Sequence, residues 1–302
     1  GRKLETAEII AQQSDDSKSQ VRRYIRLTYL IPELLEKMDQ GGIALSVGVE
    51  LSFLDESSQR EVLEQCENLK MLAVAFTGLD HVDLAYCEER GIKVQNCAGY
   101  ATTAVAELTF GLMLDVYRNI LPCDKAARAG GTKDGLVGFE LEGKTIGVVG
   151  TGAIGARVIE LAKAFHMNVL AYNRTPGKVK DVDYVALEEL LEKSDIVSLH
   201  VPLTPETKGI IGEKELALMK PSAILINTAR GPVADTKALA DALQSGKIAG
   251  AGIDVFDAEP PLDPADPLLH TPHTVVTPHV AFATKESMIK RAIIEFDNIA
   301  AF

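Results

Sequence analysis

The chain has 302 residues, 46% of them hydrophobic and 25% charged, with a formal net charge of −12, which is enough chain for two domains of ordinary size. No apolar run approaches the ~20 residues of a membrane span, so a soluble protein is predicted, and the acidic balance speaks against nucleic acid or an anionic membrane as partner. Cys66, Cys87, Cys97 and Cys123 show neither CxxC spacing nor a secreted disulfide framework, which predicts reduced thiols and a cytoplasmic location without a signal peptide.

The first 60 or so residues carry little chemistry: a helix is predicted over Tyr29–Met38, a strand over Ile43–Val49 and a helix over Ser57–Cys66. From Met71 the pattern sharpens into a strand to Phe76, a turn at Thr77-Gly78-Leu79-Asp80, a helix over Asp83–Arg90 stopped by Gly91, and a strand over Ile92–Gln95. A run from Thr102 to Ile120, apolar on nearly every side, reads as a helix buried all round at a seam between domains. Gly130, Gly131, Gly135 and Gly138 follow, so the domain change is expected near residues 118–140.

Lys144 opens the most informative stretch. Thr145–Val149 is a short, β-branched strand run, and Gly150-Thr151-Gly152-Ala153-Ile154-Gly155 follows it without a gap. In such a turn the first glycine permits the sharp bend, the second admits a pyrophosphate to the backbone, and the third packs the next helix close to the strand. That helix, Ile154 to about Ala164, aims its free N–H groups and positive dipole end at the phosphates, with Ala153, Ile154 and Gly155 in its first turn. Asn168–Tyr172 supplies the next strand at the spacing of a βαβ unit, so the motif reads as dinucleotide binding rather than a structural glycine turn.

The rhythm continues with strands at Ile196–His200, Ala223–Asn227, Ile248–Val255 and Thr274–Thr277 and helices at Gly212–Met219 and Asp235–Ser245. A helical pattern over Lys285–Phe302 would carry the chain back to the first domain. The fold class is therefore α/β, with a central doubly wound parallel sheet whose ligands lie beyond the carboxyl ends of its strands.

Three of those strands run into polar residues unsuited to a core. Asn227-Thr228-Ala229-Arg230-Gly231, Asp254 with Glu259 after it, and Pro278-His279 would bring a cation, carboxylates and an imidazole to one sheet edge, an acid–base constellation. Each has a plainer reading: Arg230 as a helix-start ion pair, Glu259 as a solvated loop carboxylate, His279 as a histidine after a proline turn. Their convergence favours the chemical reading. His81, His166, His270 and His273 lack such company, no histidine pair has metal-ligand spacing, and no GxSxG or Cys/His arrangement supports a covalent hydrolase.

Together with His200-Val201-Pro202-Leu203-Thr204-Pro205-Glu206-Thr207 and Gly252-Ile253-Asp254-Val255-Phe256, these motifs resemble the D-isomer-specific 2-hydroxyacid dehydrogenases from about residue 70 onward. The resemblance implies a smaller flavodoxin-like substrate domain (residues 1–118 plus 281–302), an inserted Rossmann domain (119–280) and a homodimer. It implies that Arg230 binds the carboxylate and carbonyl oxygen of a small anionic 2-keto acid. His279 would be the general acid in reduction, and Glu259 would hydrogen-bond it and raise its pKa. Thr77 and Gly78 match the loop whose N–H groups bind substrate carboxylate; Thr102, Val201, Pro202, Thr207, Thr228, Ala229 and Asp254 match cofactor-contacting positions. Thr277–Thr284 with Ala75–Gly78 looks like the glycerate dehydrogenase or hydroxypyruvate reductase branch, with Phe282 where a tryptophan is usual. Phosphoglycerate dehydrogenase is the rival, but Val74 stands where that branch commonly has an arginine. A nucleotide-sensing binding protein on the same scaffold is the rival from another class.

NAD-selective folds usually place an acidic residue about 20 residues after the glycines. Here Asn173 stands 18 positions after Gly155, followed by Arg174 and Thr175, able to pair with a 2′-phosphate. NADP(H) is therefore expected ahead of NAD(H), the alternative being that Arg174 is a solvated loop arginine.

Overall fold

The computed structural model describes residues 69–258 and 261–302, so the elements expected before residue 67, and the carboxylate of Glu259, lie outside the described residues. The chain divides into two units, one holding the described residues up to Ala101 together with Ala283–Phe302, the other holding Thr102–Phe282.

In the first unit β1 (Met71–Val74), α1 (Leu84–Glu89) and β2 (Lys93–Asn96) make a parallel crossover, with Met71 beside Lys93 and Val74 beside Asn96. The Asp83 carboxylate accepts the Tyr86 N–H at 2.9 Å and caps the start of α1. Leu69, Val74, Val82, Cys87 and Ile92 bury their side chains between these elements. β1 stops two residues short of the expected Phe76, because the backbone bends at Ala75–Thr77 and leaves the ladder.

The second unit runs α2 (Thr102–Arg118), α3 (Ile120–Arg128), β3 (Thr145–Val149), α4 (Ala153–Ala164), β4 (Asn168–Tyr172), β5 (Asp183–Tyr184), α5 (Leu187–Lys193), β6 (Ile196–Leu199), α6 (Glu213–Leu218), β7 (Ile224–Asn227), α7 (Thr236–Gln244), β8 (Gly250–Ile253) and β9 (Thr274–Val276). Its seven strands form one parallel sheet in the order β5-β4-β3-β6-β7-β8-β9. The order reverses direction between β3 and β6, the switch point where such sheets bind ligands. This is the doubly wound sheet that the strand and helix rhythm predicts. The last helix, α8 (Lys285–Ala300), belongs to the first unit and starts at a reciprocal cap between Thr284 and Ser287.

Alternation along the buried strands fills both faces of the sheet. Ile146 and Val148 of β3 and Ile224 and Ile226 of β7 pack with Phe110 and Met113 of α2 and Val158 and Ile159 of α4. Val149 and Leu225 point the other way, to Leu190 and Leu191 of α5, Leu216 of α6 and Leu239 of α7. Each such fully buried side chain contributes about 1.5–3 kcal/mol relative to exposure.

This packing accounts for where the two compact units divide. α2 is apolar all round because it lies on the sheet beside α4, so the first division of the chain falls at Ala101/Thr102. The second falls at Phe282/Ala283. α2 also ends at Arg118 rather than continuing to Ile120: Asn119 takes a left-handed conformation (φ 52°), and α3 starts in a new direction. α3, β5 and α5 carry no clear signal in the sequence. These are short, and α5, with four charged residues in seven, has too few turns to show a helical period.

Candidate active site

Three short turns on the carboxyl side of the sheet build the site. The first joins β3 to α4. Gly150 is left-handed there (φ 99°), and a Cβ on it would come within 2.6 Å of the His200 carbonyl oxygen. A Cβ on Gly155 would reach the Gly150 oxygen at 2.0 Å, so that position must be glycine for α4 to approach the strand. At Gly152 nothing lies within 4 Å of the added atom. The loop is thus closed on its protein side and open in front of Gly152 and the first turn of α4, where N–H groups have no acceptor within the helix. A pyrophosphate fits this cradle.

Thr151, 2% exposed, pins the loop to its neighbours: its N–H meets Asn173 Oδ1 at 3.5 Å, and its hydroxyl accepts from the Tyr184 phenol at 3.1 Å. The amide of Asn173 donates to the Thr175 carbonyl at 2.7 Å, so Asn173 shapes the end of β4 while Arg174 and Thr175 stand exposed beyond it. Past β6, the Thr207 hydroxyl donates to the Pro202 carbonyl at 2.6 Å and accepts the Thr204 N–H at 2.8 Å, which fixes the loop carrying Val201 and Pro202. In that loop Glu206 is held below the ordinary carboxylate range by the Thr204 hydroxyl, its own N–H and, more weakly, the Arg174 cation.

Under the first turn sits His200, whose Nε2 lies 2.8 Å from Ser198 Oγ. Burial pushes its pKa down to about 3, so the ring is neutral at any working pH. Because the unfolded chain binds this proton below about pH 6.5 and the native protein does not, stability is lost as pH falls from 6.5 toward 3. The expected slope is up to ~1.4 kcal/mol per pH unit, read from denaturant midpoints, and His200→Asn should flatten it. An equal slope in the variant would assign the acid sensitivity elsewhere.

The second turn follows β7. Asn227, 2% exposed, receives the Ala229 N–H on Oδ1 at 3.1 Å and donates from Nδ2 to the Arg230 carbonyl at 2.9 Å. Arg230 itself is extended and half-buried, with Nη1 on the Ala229 carbonyl at 2.9 Å. Gly231 behind it meets the main chain of Phe256, where a Cβ would approach to 2.0 Å. Thr228, 7% exposed, lies 2.9 Å from the Thr109 hydroxyl. Thr109 gives its only proton to the Val105 carbonyl at 2.8 Å, so Thr228 is the donor of the pair and keeps its lone pairs for a ligand.

The third turn follows β9, and Asp254 holds it. This fully buried carboxylate accepts from the Thr277 hydroxyl at 2.5 Å, the Val280 N–H at 2.9 Å and the Ala281 N–H at 2.9 Å. Its carbonyl accepts the His279 N–H at 2.7 Å, and its own N–H reaches the Asn227 carbonyl at 3.0 Å. His279 adopts φ 53°, a conformation that costs a side chain about 1–2 kcal/mol. The bonds to Asp254 over-determine it, and the imidazole stands edge-on to Phe282 at 5.6 Å. Asp254 thus links the arginine turn to the histidine turn through Asn227. The motifs pointed to Asp254 as a cofactor neighbour; its hold on the His279 turn needs the fold to be seen, as do Asn227, Thr109 and Tyr184.

Thr102 opens α2 in the second unit, while Thr77 and Gly78 belong to the first. There the Thr77 carbonyl accepts Asn96 Nδ2 at 2.7 Å. Among the described residues no group of three His, Cys, Asp or Glu could hold a metal, and no helix is long and apolar enough to cross a membrane.

A glycine cradle at the switch point of a parallel sheet, with an arginine and a histidine on turns beyond β7 and β9, defines a nicotinamide-dependent oxidoreductase. Residues 110–281 match the family described as D-isomer specific 2-hydroxyacid dehydrogenase, NAD binding domain, and the chain belongs to that family. It is 42% identical over 281 residues to a glyoxylate reductase of Thermococcus litoralis, covering 89% of this chain and 82% of the relative. It is 43% identical over 230 residues to a hydroxypyruvate reductase of Thermotoga maritima, covering 75% of each. Among solved structures, an acyclic imino acid reductase in complex with NADPH and D-Arg is 37% identical, with a TM-score of 0.76 over 80% of this chain and 78% of that one. A D-lactate dehydrogenase of Aquifex aeolicus complexed with NAD and lactic acid is 35% identical, with the same TM-score and coverage.

Proposed function

We propose that this dehydrogenase reduces glyoxylate or hydroxypyruvate to the 2-hydroxy acid, with Arg230 and His279 as its catalytic residues. The observation that carries the reading is the hydrogen-bonded row Asn227–Asp254–His279, which ties the arginine and histidine turns to adjacent strand ends. Arg230 grips the keto-acid carboxylate and polarises the carbonyl oxygen, and Thr77 and Gly78 are assigned as substrate-binding residues through their N–H groups. The nicotinamide, when bound, supplies the hydride. His279 would give its proton to the substrate carbonyl oxygen, where the negative charge of reduction collects. In oxidation His279 takes the proton back. Glu259 is assigned as the carboxylate partner of His279.

The phosphoglycerate reading is disfavoured by Val74, which is 6% exposed within β1 and packs in the apolar core of the first unit, where a phosphate-binding cation would stand. The binding-protein reading is disfavoured by retention of Arg230 and His279 in a built turn. Following NADPH oxidation with glyoxylate, hydroxypyruvate, 3-phosphohydroxypyruvate and pyruvate separates these readings: turnover highest on the first two is expected, and none on any would leave only the binding protein.

For the cofactor we assign NADP(H). Arg174 and Thr175 project beyond β4, no carboxylate occupies position 173, and Asn173 is engaged with the Thr175 carbonyl and the Thr151 N–H. The wild type is expected to favour NADPH over NADH in kcat/KM, and Asn173→Asp with Arg174→Ala to reverse the preference through loss of a charge-assisted pair. A wild-type preference for NADH, untouched by removing Arg174, would show that this loop does not read the phosphate. The assignment extends to a cytoplasmic homodimer. Unpaired Cys87, Cys97 and Cys123 suit a reducing compartment, and Val137 and Phe139, 81% and 60% exposed, offer apolar surface to a second copy.

A further inference from the structure

The Thr77–Gly78 turn stands outside the strand ladder, yet both of its peptide planes are fixed from one side. Cys97, the residue after β2, donates its N–H to the Phe76 carbonyl at 3.1 Å. Asn96 donates Nδ2 to the Thr77 carbonyl at 2.7 Å. In a trans peptide the carbonyl and the following N–H point in opposite directions. Drawing the Phe76 and Thr77 carbonyls toward the end of β2 therefore turns the Thr77 and Gly78 N–H groups away from it, side by side. Neither N–H has an acceptor among the described residues, and successive free amides of this kind make an anion-binding concavity.

The grip on the turn is itself anchored on the last helix. Asn298 Nδ2 donates to the Asn96 carbonyl at 3.0 Å, the buried Cys97 thiol donates to Glu295 Oε2 at 2.8 Å, and the buried Arg291 guanidinium lies 5.1 Å from the Phe76 ring centre. Helix α8 thus holds the two residues that orient the turn as well as the ring that precedes it.

We infer that Asn96 is a positioning residue for substrate: seated by Asn298, it aims the Gly78 N–H, with Cys97 aiming that of Thr77, at the keto-acid carboxylate. The inference rests on the proposed reading of Thr77–Gly78 as the carboxylate turn. Asn96→Asp keeps the shape, removes the donor and sets an acceptor against the Thr77 carbonyl, so the Gly78 amide loses its aim. KM for glyoxylate should rise about tenfold, the worth of one well-placed hydrogen bond, with kcat changed less and the dissociation constant for NADPH unchanged. Asn298→Ala, which removes only the tether, should raise KM in the same direction by a few fold.

Gly78→Pro, lacking the N–H itself, separates the two levels of the argument. If Gly78→Pro raises KM and Asn96→Asp does not, the carboxylate turn stands and the positioning role is lost. If Gly78→Pro leaves KM as in wild type, the turn does not bind substrate and the inference falls with it. Should Asn96→Asp fail to fold, as judged by thermal melting, Asn298→Ala decides: an unchanged KM there overturns the inference.

Discussion

Replacing His279 with alanine is expected to reduce keto-acid turnover by about 10²- to 10⁴-fold, the usual contribution of a placed proton donor, while the dissociation constant for NADPH stays nearly unchanged. The separation follows from where the histidine sits. Its turn is held by main-chain and carboxylate contacts of Asp254, through Thr277, Val280, Ala281 and the His279 N–H, none of which uses the imidazole. Alanine should therefore inherit the backbone, and asparagine, which tolerates the left-handed conformation better, should serve as a second variant. The glycine cradle lies on a different turn, after β3, and should keep its affinity. Cofactor titration by fluorescence and steady-state rates on the same samples measure both halves. His200 cannot substitute, because burial keeps it neutral down to about pH 3. A variant that retains turnover would remove His279 from the mechanism.

Arg230→Lys is expected to lower kcat/KM for the keto acid by about 10²- to 10³-fold, comparable to removing an oxyanion donor. Charge is conserved, so the loss measures geometry. The guanidinium presents a planar fork that can meet a carboxylate and a carbonyl oxygen together, whereas an ammonium is a single point on a flexible stem. The structure spends several contacts on aiming that fork. Asn227 fixes the Ala229 amide and the Arg230 carbonyl, Nη1 rests on Ala229, and Gly231 lets the turn lie against the Phe256 backbone. With Arg230→Ala, added guanidinium ion should restore part of the rate. Activity within about threefold of wild type in the lysine variant would show that charge alone suffices and that the fork is not read.

Most of the second unit is determined by local sequence. Its strands are short apolar runs bounded by glycine, proline or a polar turn, and each is paired over residues that the pattern marks, because a sheet buried on both faces requires continuous apolar strands. The glycine turn is legible for the same kind of reason: at Gly150 and Gly155 backbone would collide with any Cβ, and at Gly152 the space is kept open. Arg230 and His279 stand out in the sequence because polar residues at the ends of buried apolar strands have no structural purpose in a core.

What the tertiary structure alone decided is which residue touches which across the sheet and along the helices. The apolar run at 102–118 is compatible with a seam or with a core, and only its contacts with β3, β7 and α4 put it inside the second unit and set the division at Ala101. Asp254 reads as one more carboxylate after a strand until the parallel register of β8 and β9 brings Thr277–Ala281 around it. Asn96 and Asn298 are separated by 202 positions, and neither belongs to a motif. A hydrogen bond between distant residues leaves no period or spacing in the sequence, because it is fixed by where two elements pack rather than by what either one is made of.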